Sequence, residues 1–281
     1  MGVWNQLPTK NIKQMKKFFS YVISVMAVLF AGCEPNDPVP SNKGIGVFSV
    51  SETTTVTFSP GNLQYHSKEN KWRFAEKQWK YIDYSSPDTQ NGWLDMFGWS
   101  TSATNFGVNS SADYSGNFID WGTNTIGTDT PNTWRTMTYE EWNYLLVTRP
   151  NASSLKGVAQ VNGVNGLILL PDNWNSPTGV TFKSGLHSNS GVDYYAAYQN
   201  FAAEQWSKLE DAGAVFLPAC IYRFVNNDSL GITIQQINGC YWSSTEEDEH
   251  YAHCLFFSPA EASVHSTIRY GSLSVRLVKD L

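Results

Sequence analysis

Cysteine, histidine and positive charge are scarce in this sequence. Four cysteines and five histidines occur in 281 residues, and no two cysteines stand in C-x-x-C spacing. Zinc ribbons and thioredoxin-like redox sites need that spacing, so neither is expected. Gly-x-Ser-x-Gly and His-Glu-x-x-His are absent as well. With them go the nucleophile elbow of α/β-hydrolases and the helical zinc site of metalloproteases. Lys and Arg number 19 against 25 Asp and Glu, a net charge of −6. With no basic stripe to neutralise phosphates, nucleic acid is not an expected partner. A membrane-spanning helix needs roughly 20 apolar residues, and the longest apolar stretch, Phe18 to Ala31, has 14. No Asp or Glu precedes Glu34.

That last absence, together with Lys10, Lys13, Lys16 and Lys17 and the short apolar stretch after them, has the order of an export signal. Met15 opens a signal of ordinary size as MKKFF. The stretch ends in Leu29-Phe30-Ala31-Gly32-Cys33. This resembles a bacterial lipobox, whose cysteine is diacylated and becomes the mature N-terminus. Residues 1–32 are therefore expected to be a lipoprotein signal peptide, with Cys33 as the lipidated residue. Each buried acyl methylene adds ~0.8 kcal/mol of membrane affinity. The expected location is the outer membrane or cell surface, lipid-anchored. Residues 33–44, rich in Pro and Asn, read as an extended tether. Glu34-Pro35-Asn36 matches a sugar-binding tripeptide of calcium-dependent lectins, but it falls in the tether, outside any fold. Loss of residues 1–32 removes four lysines and no acid, which leaves 15 basic against 25 acidic side chains, net −10.

Residues 45–281 are expected to form a single domain. Eleven Trp and 14 Tyr stand among many Gly, Asn, Ser and Thr, the composition of a loop-rich extracellular domain held by aromatic contacts. Cys220, Cys240 and Cys254 permit one disulfide in three possible pairings. Residues 45–82 alternate as hairpin strands: Gly46–Ser51, Thr54–Phe58, Leu63–His66 and Trp72–Ala75. Residues 83–133 read as a long loop region pinned by Trp93, Phe97, Trp99, Phe106, Tyr114, Phe118 and Trp121. Thr138 stands three residues before Glu141, a capping box. Trp142, Leu145 and Leu146 carry a helix on to Arg149, before Pro150. Asn162-Gly163 and Asn165-Gly166 mark turns within Val158–Leu170. A second helix spans Ala202 to Ala212, with Gly213 as its stop. Short strands follow at Ala214–Leu217, Ile221–Phe224, Cys240–Ser243, Tyr251–Phe257 and Leu273–Val278. The expected class is α+β, with short antiparallel strands, two main helices and long irregular loops.

The stretch Ser244–Cys254, STEEDEHYAHC, gathers four acids, two histidines and a cysteine. On a strand, the spacing of His250 and His253 sends them to opposite faces, so a joint His–His–Cys metal site needs a bend at Ala252. Glu246, Glu247, Asp248 and Glu249 lack the glycine and spacing of an EF-hand loop. An acidic turn between two strands is expected, with no metal and no cofactor.

Larger resemblances rest on Thr133–Pro150 (TWRTMTYEEWNYLLVTRP), on ILLPDNW, VFLPACIYR and GCYWSST, and on Ser274–Val278 (SVRLV). The first resembles a helix of the formylglycine-generating-enzyme family. The set resembles a group of Bacteroidetes lipoproteins that overlaps the Fibrobacter succinogenes major paralogous domain and is similar to C-type-lectin-like folds. It spans about residues 45–281. Formylglycine-generating enzymes hold copper with a pair of cysteines near the C-terminus. From Trp242 onward this chain has Cys254 alone, so that activity is not expected. Some relatives are variable proteins of diversity-generating retroelements, which diversify the segment between the last two landmarks.

By that resemblance, Tyr241, Trp242, Val275 and Arg276 are framework and residues 244–272 are a presented surface. The expected ligand contacts are Glu246, Glu247, Asp248, Glu249, His250, His253, Phe256, His265, Thr267, Arg269 and Tyr270. The polar and aromatic positions of this stretch also include Glu261 and Ser263. The expected function is binding of an unknown protein or glycan ligand, with membrane contact through the lipid anchor and no catalysis. A structural adhesin or fimbrial accessory subunit is the alternative. A carbohydrate-active enzyme is a weaker one and would need a paired-carboxylate cleft.

Overall fold

The computed structural model describes residues 44–82, 91–100, 114–219 and 236–281, together with the backbone of 222–226 and 229–233. The expected signal peptide, Cys33, all of the tether but Gly44, Phe106 and Cys220 lie outside the described residues. No helix among the described residues is long and apolar enough to cross a membrane.

The protein is of the α+β class. Turn residues cut the chain into short strands. In the first half these are β1 (Phe48–Ser49), β2 (Thr55–Phe58), β3 (Leu63–His66), β4 (Lys71–Phe74) and β5 (Trp93–Leu94). Helix α1 (Tyr139–Asn143) starts at Thr138, whose hydroxyl accepts from Glu141 N while Glu141 Oε2 accepts from Thr138 N. It widens into a π-helical turn, Tyr144–Thr148. Strands β6 (Lys156–Val161) and β7 (Val164–Leu169) pair antiparallel through the Asn162-Gly163 turn. Both turn residues have positive φ, 47° and 81°, as a two-residue hairpin loop requires. The expected turn at Asn165-Gly166 is not formed. Both residues lie within β7, where a Cβ on Gly166 would stand 2.4 Å from Leu217 O.

Helix α2 (Tyr194–Tyr198), which the sequence reading does not contain, is followed by β8 (Asn200–Phe201), α3 (Ala203–Asp211) and β9 (Val215–Pro218). Then come β10 (Tyr222–Asn226), β11 (Ser229–Thr233), β12 (Gly239–Glu246), β13 (Tyr251–Ser258), β14 (Glu261–Ile268) and β15 (Val278–Asp280). The expected last strand, Leu273–Val278, is mostly irregular. Only Val278 reaches β15, while Leu273 and Ser274 make isolated bridges to Phe97 and Tyr241.

The sheet β8-β6-β7-β9 is buried on both faces. Leu167 and Leu169 point to one core, with Trp142, Leu145 and Leu146 of the helix and Leu255 and Phe257 of β13. Ile168 and Leu170 point to another, beneath Trp206 and Leu209 of α3. A third core is aromatic: Trp72, Phe97, Trp99, Trp121 and Trp242 join Cys240, Cys254 and Val275. Arg276 is buried where these regions meet. Its guanidinium donates to Asn62 Oδ1 (3.1 Å), Ser59 O (3.0 Å) and Phe216 O (2.7 Å). A buried guanidinium is tolerated when its donors are used in this way.

Candidate ligand-binding face

The sheet β12-β13-β14 is covered on one face by helix α1; its other face packs on the aromatic core along β12 and most of β13 and is open only along β14. Helix α1 contacts all three strands. The covered face carries Tyr241, Leu255 and Phe257, with Ala262 and Val264 partly buried beside them. Alternation along the strands sends the intervening residues the other way. The antiparallel register sets Cys254 between Trp242 on β12 and His265 on β14, and Phe256 between Cys240 and Ser263. Trp242, Cys240, Cys254, Phe256, Ser263 and His265 therefore share the face away from the helix. Gly239 starts β12 because a Cβ there would meet the Phe257 ring at 2.0 Å.

On the open part of that face three side chains of β14 form one hydrogen-bonded cluster. Ser263 Oγ donates to Glu261 Oε1 (2.6 Å), and His265 Nε2 stands 2.7 Å from Glu261 Oε1 and 2.9 Å from Ser263 Oγ. The imidazole lies over the Phe256 ring, centroids 4.8 Å apart and planes 27° from parallel. The Ser263 hydroxyl and then the His265 ring hold the Glu261 carboxyl below the ordinary glutamate value. A Ser–His–carboxylate relay needs the hydroxyl on one ring nitrogen and the carboxylate on the other. Here both approach Nε2, so the cluster does not have the geometry of that relay.

Beside it opens a cavity of about 150 Å³, lined by Cys240, Cys254, Phe256, His265, Thr267 and Leu273. Its floor is apolar. Cys254 is a free thiol, and burial pushes its pKa up to about 12. That makes it unreactive at neutral pH. The two disulfide pairings that use Cys254 are not made.

The acidic stretch is the turn between β12 and β13. Glu247 N and Asp248 N both donate to Tyr251 O, and Asp248 Oδ1 accepts from His250 N (2.7 Å) and Tyr251 N (2.8 Å). Those two N–H groups hold the Asp248 carboxyl below its ordinary value. Glu249 and His250 are exposed at the tip, 3.3 Å apart. Among the described residues no group of three or more His, Cys, Asp or Glu side chains is arranged to hold a metal.

One expected ligand contact is misplaced by the sequence reading. Arg269 is 2% exposed. Its guanidinium donates to Gly116 O (3.0 Å), Tyr114 O (3.3 Å), Asp248 O and Glu246 Oε2 (2.8 Å), and lies 4.5 Å over the Trp99 ring. The physical reason is donor count. Carbonyls from two loops need donors where water is excluded, and one planar guanidinium supplies several. Arg269 is therefore a framework residue, and Glu246 is tied to it.

The other expected contacts do not form one surface. Phe256, His265 and Thr267 surround the cavity. His253 lies on the helix side, its ring 4.6 Å from that of Tyr139. Glu247, Glu249 and His250 occupy the turn, and Tyr270 is 43% exposed beyond β14. Glu261 and Ser263, which complete the His265 cluster, were not among the expected contacts. Their spacing from His265, two and four residues, is the period of one strand face and was the available signal.

The fold and the site thus define an α+β protein in which the sheet β12-β13-β14 presents a polar strip along β14. Compared with protein-family models, with curated proteins and with solved structures, the chain matches none.

Proposed function

We propose that the chain is a lipid-anchored cell-surface protein that binds a protein or glycan ligand and catalyses no reaction. The ligand meets the open strip along β14. Cys33 carries the acyl anchor, and residues 45–281 belong to the C-type-lectin-like group that the sequence resembles. The observation that carries the reading is the Glu261–Ser263–His265 cluster stacked on Phe256 at the mouth of an apolar cavity. Hydrogen-bonding groups around an apolar floor, on a rigid sheet, are what a recognition site requires. The turn residues Glu247, Glu249 and His250 extend the contact, while Trp242, Arg269 and Arg276 hold the platform.

Two experiments test this. A Glu261→Gln, His265→Ala variant of the full chain is expected to keep its unfolding midpoint and to lose its signals on glycan and envelope-protein arrays. Unchanged signals on every spot would place the site elsewhere. Labelled palmitate is expected to enter the wild type and not Cys33→Ala. Equal incorporation would remove the anchor from the proposal.

A further inference from the structure

The two outer edges of the β12-β13-β14 sheet are treated differently by the chain. The β12 edge is closed by backbone from elsewhere. Trp242 N donates to Ser274 O (3.1 Å), Ser274 N to Cys240 O (3.2 Å) and Ser244 N to Met137 O (2.9 Å). The β14 edge has no such cover. Among the described residues, its only backbone bond apart from those to β13 is from Gly271 N to Ile268 O, which closes the turn at its end.

An open edge is a template for another strand, and proteins usually blunt it with lysine, proline, a bulge or short length. Strand β14 has none of these devices. It runs eight residues, Glu-Ala-Ser-Val-His-Ser-Thr-Ile, in unbroken register with β13.

We propose that this edge is an interface between two copies of the chain, paired antiparallel about a two-fold axis through Val264. Two three-stranded sheets then become one sheet of six. The argument for a second copy is self-complementarity. A two-fold axis normal to a sheet brings only same-face residues opposite one another, so the register centres on a residue. Centring on Val264 pairs Glu261 through Thr267 in full. It sets Ser263 opposite the partner's His265 and Glu261 diagonal to it, within reach of a long side chain. Acceptor-rich and imidazole halves of the strand thereby meet. Centring on Ser263 runs the strand onto Pro259 in the turn before β14. Centring on His265 opposes two imidazoles and sets Glu261 against the partner's Arg269, which is buried and fully engaged. The pairing uses the side chains of Glu261, Ser263 and His265 that the ligand reading also uses, but it needs no ligand, and sedimentation of the protein alone reads it apart from binding.

The test is sedimentation equilibrium of the full chain in density-matched detergent. The wild type is expected to show a reversible monomer–dimer equilibrium. Ser263→Asp with His265→Asp puts like charges directly opposite at every such pair. It is expected to raise the dissociation constant about tenfold or more. Ser263→Asp with His265→Lys sets opposite charges directly across at both such pairs in this register and is expected to recover the dimer. Both positions are on the solvent side of an edge strand, and thermal melts verify that each variant is folded. A wild type that is monomeric at all concentrations overturns the proposal. So does a double-Asp variant that dimerises like wild type, or a folded Asp/Lys variant that fails to recover.

Discussion

The guanidinium of Arg269 lies over the indole of Trp99, 4.5 Å from the ring centroid, and the Arg269 carbonyl accepts from Trp99 N at 2.7 Å. This pair fastens the end of β14 to the aromatic core and, through Arg269, to the turn at Asp248. Arg269→Ala is expected to cost about 2–4 kcal/mol, from the emptied volume and the carbonyls left without donors. Arg269→Lys should recover little of it, because one ammonium cannot copy a planar fork. Glu246→Gln, at an exposed carboxylate, should cost less than about 1 kcal/mol. Urea unfolding of the three variants checks the order; a Glu246→Gln loss as large as that of Arg269→Ala would refute it.

Helix α1 depends on one carboxylate for two tasks. Glu141 caps Thr138 N and also accepts from Arg135 through two bonds of 2.7 Å, while Arg135 reaches Asp280 as well. Thr138→Ala is expected to cost ~1 kcal/mol, the ordinary value of an N-cap. Glu141→Ala should cost more, because a partly buried arginine loses one of its two carboxylate partners together with the cap. In a double-mutant cycle with Arg135→Ala, the double variant should lose less stability than the two single losses summed, by about 0.5–3 kcal/mol.

Two buried tryptophans should respond differently to phenylalanine. Trp242 Nε1 donates to Phe97 O at 2.6 Å, whereas the buried Trp142 indole nitrogen has no hydrogen-bond partner among the described residues. Trp242→Phe therefore loses a bond that Trp142→Phe does not. It is expected to be the more destabilising by about 1 kcal/mol. Equal losses in denaturant unfolding would count against the assignment.

Glu261 reports on the open strip along β14. Its folded pKa is depressed by the Ser263 hydroxyl and by His265. The sign follows from linkage: a depressed carboxyl contributes stability above the ordinary glutamate value, and that contribution is lost as pH falls through the folded value. Side-chain carboxyl NMR of Glu261 should show a midpoint below that of an ordinary glutamate. Ser263→Ala and His265→Ala should each move it upward. A midpoint insensitive to both substitutions would show that the cluster does not persist in solution.

Local chemistry was legible in the amino-acid sequence, and long-range partnership was not. Thr138 and Glu141 announce the start of α1 because a capping box closes within four residues. Asn162-Gly163 announces its hairpin because two residues alone supply the positive φ angles. Asn165-Gly166 shows the limit. Its letters also say turn, yet the Asn165 amide donates to Val192 O and Gln236 O, and Gly166 leaves room for β9. Arg269 was read as a displayed side chain because the resemblance puts residues 244–272 on a presented surface. Its carbonyl partners at Tyr114 and Gly116 lie more than 150 residues away in sequence, and only the folded chain brings them to it. Tertiary structure likewise divided the expected contacts. Strand alternation puts His253 and Phe256 on opposite faces wherever the strand lies. Which face the helix covers and which packs on the aromatic core was decided by the apolar side chains that close over Leu255 and Phe257 on one side and over Trp242 and Cys254 on the other, because burial of that surface outweighs any preference of the strand itself.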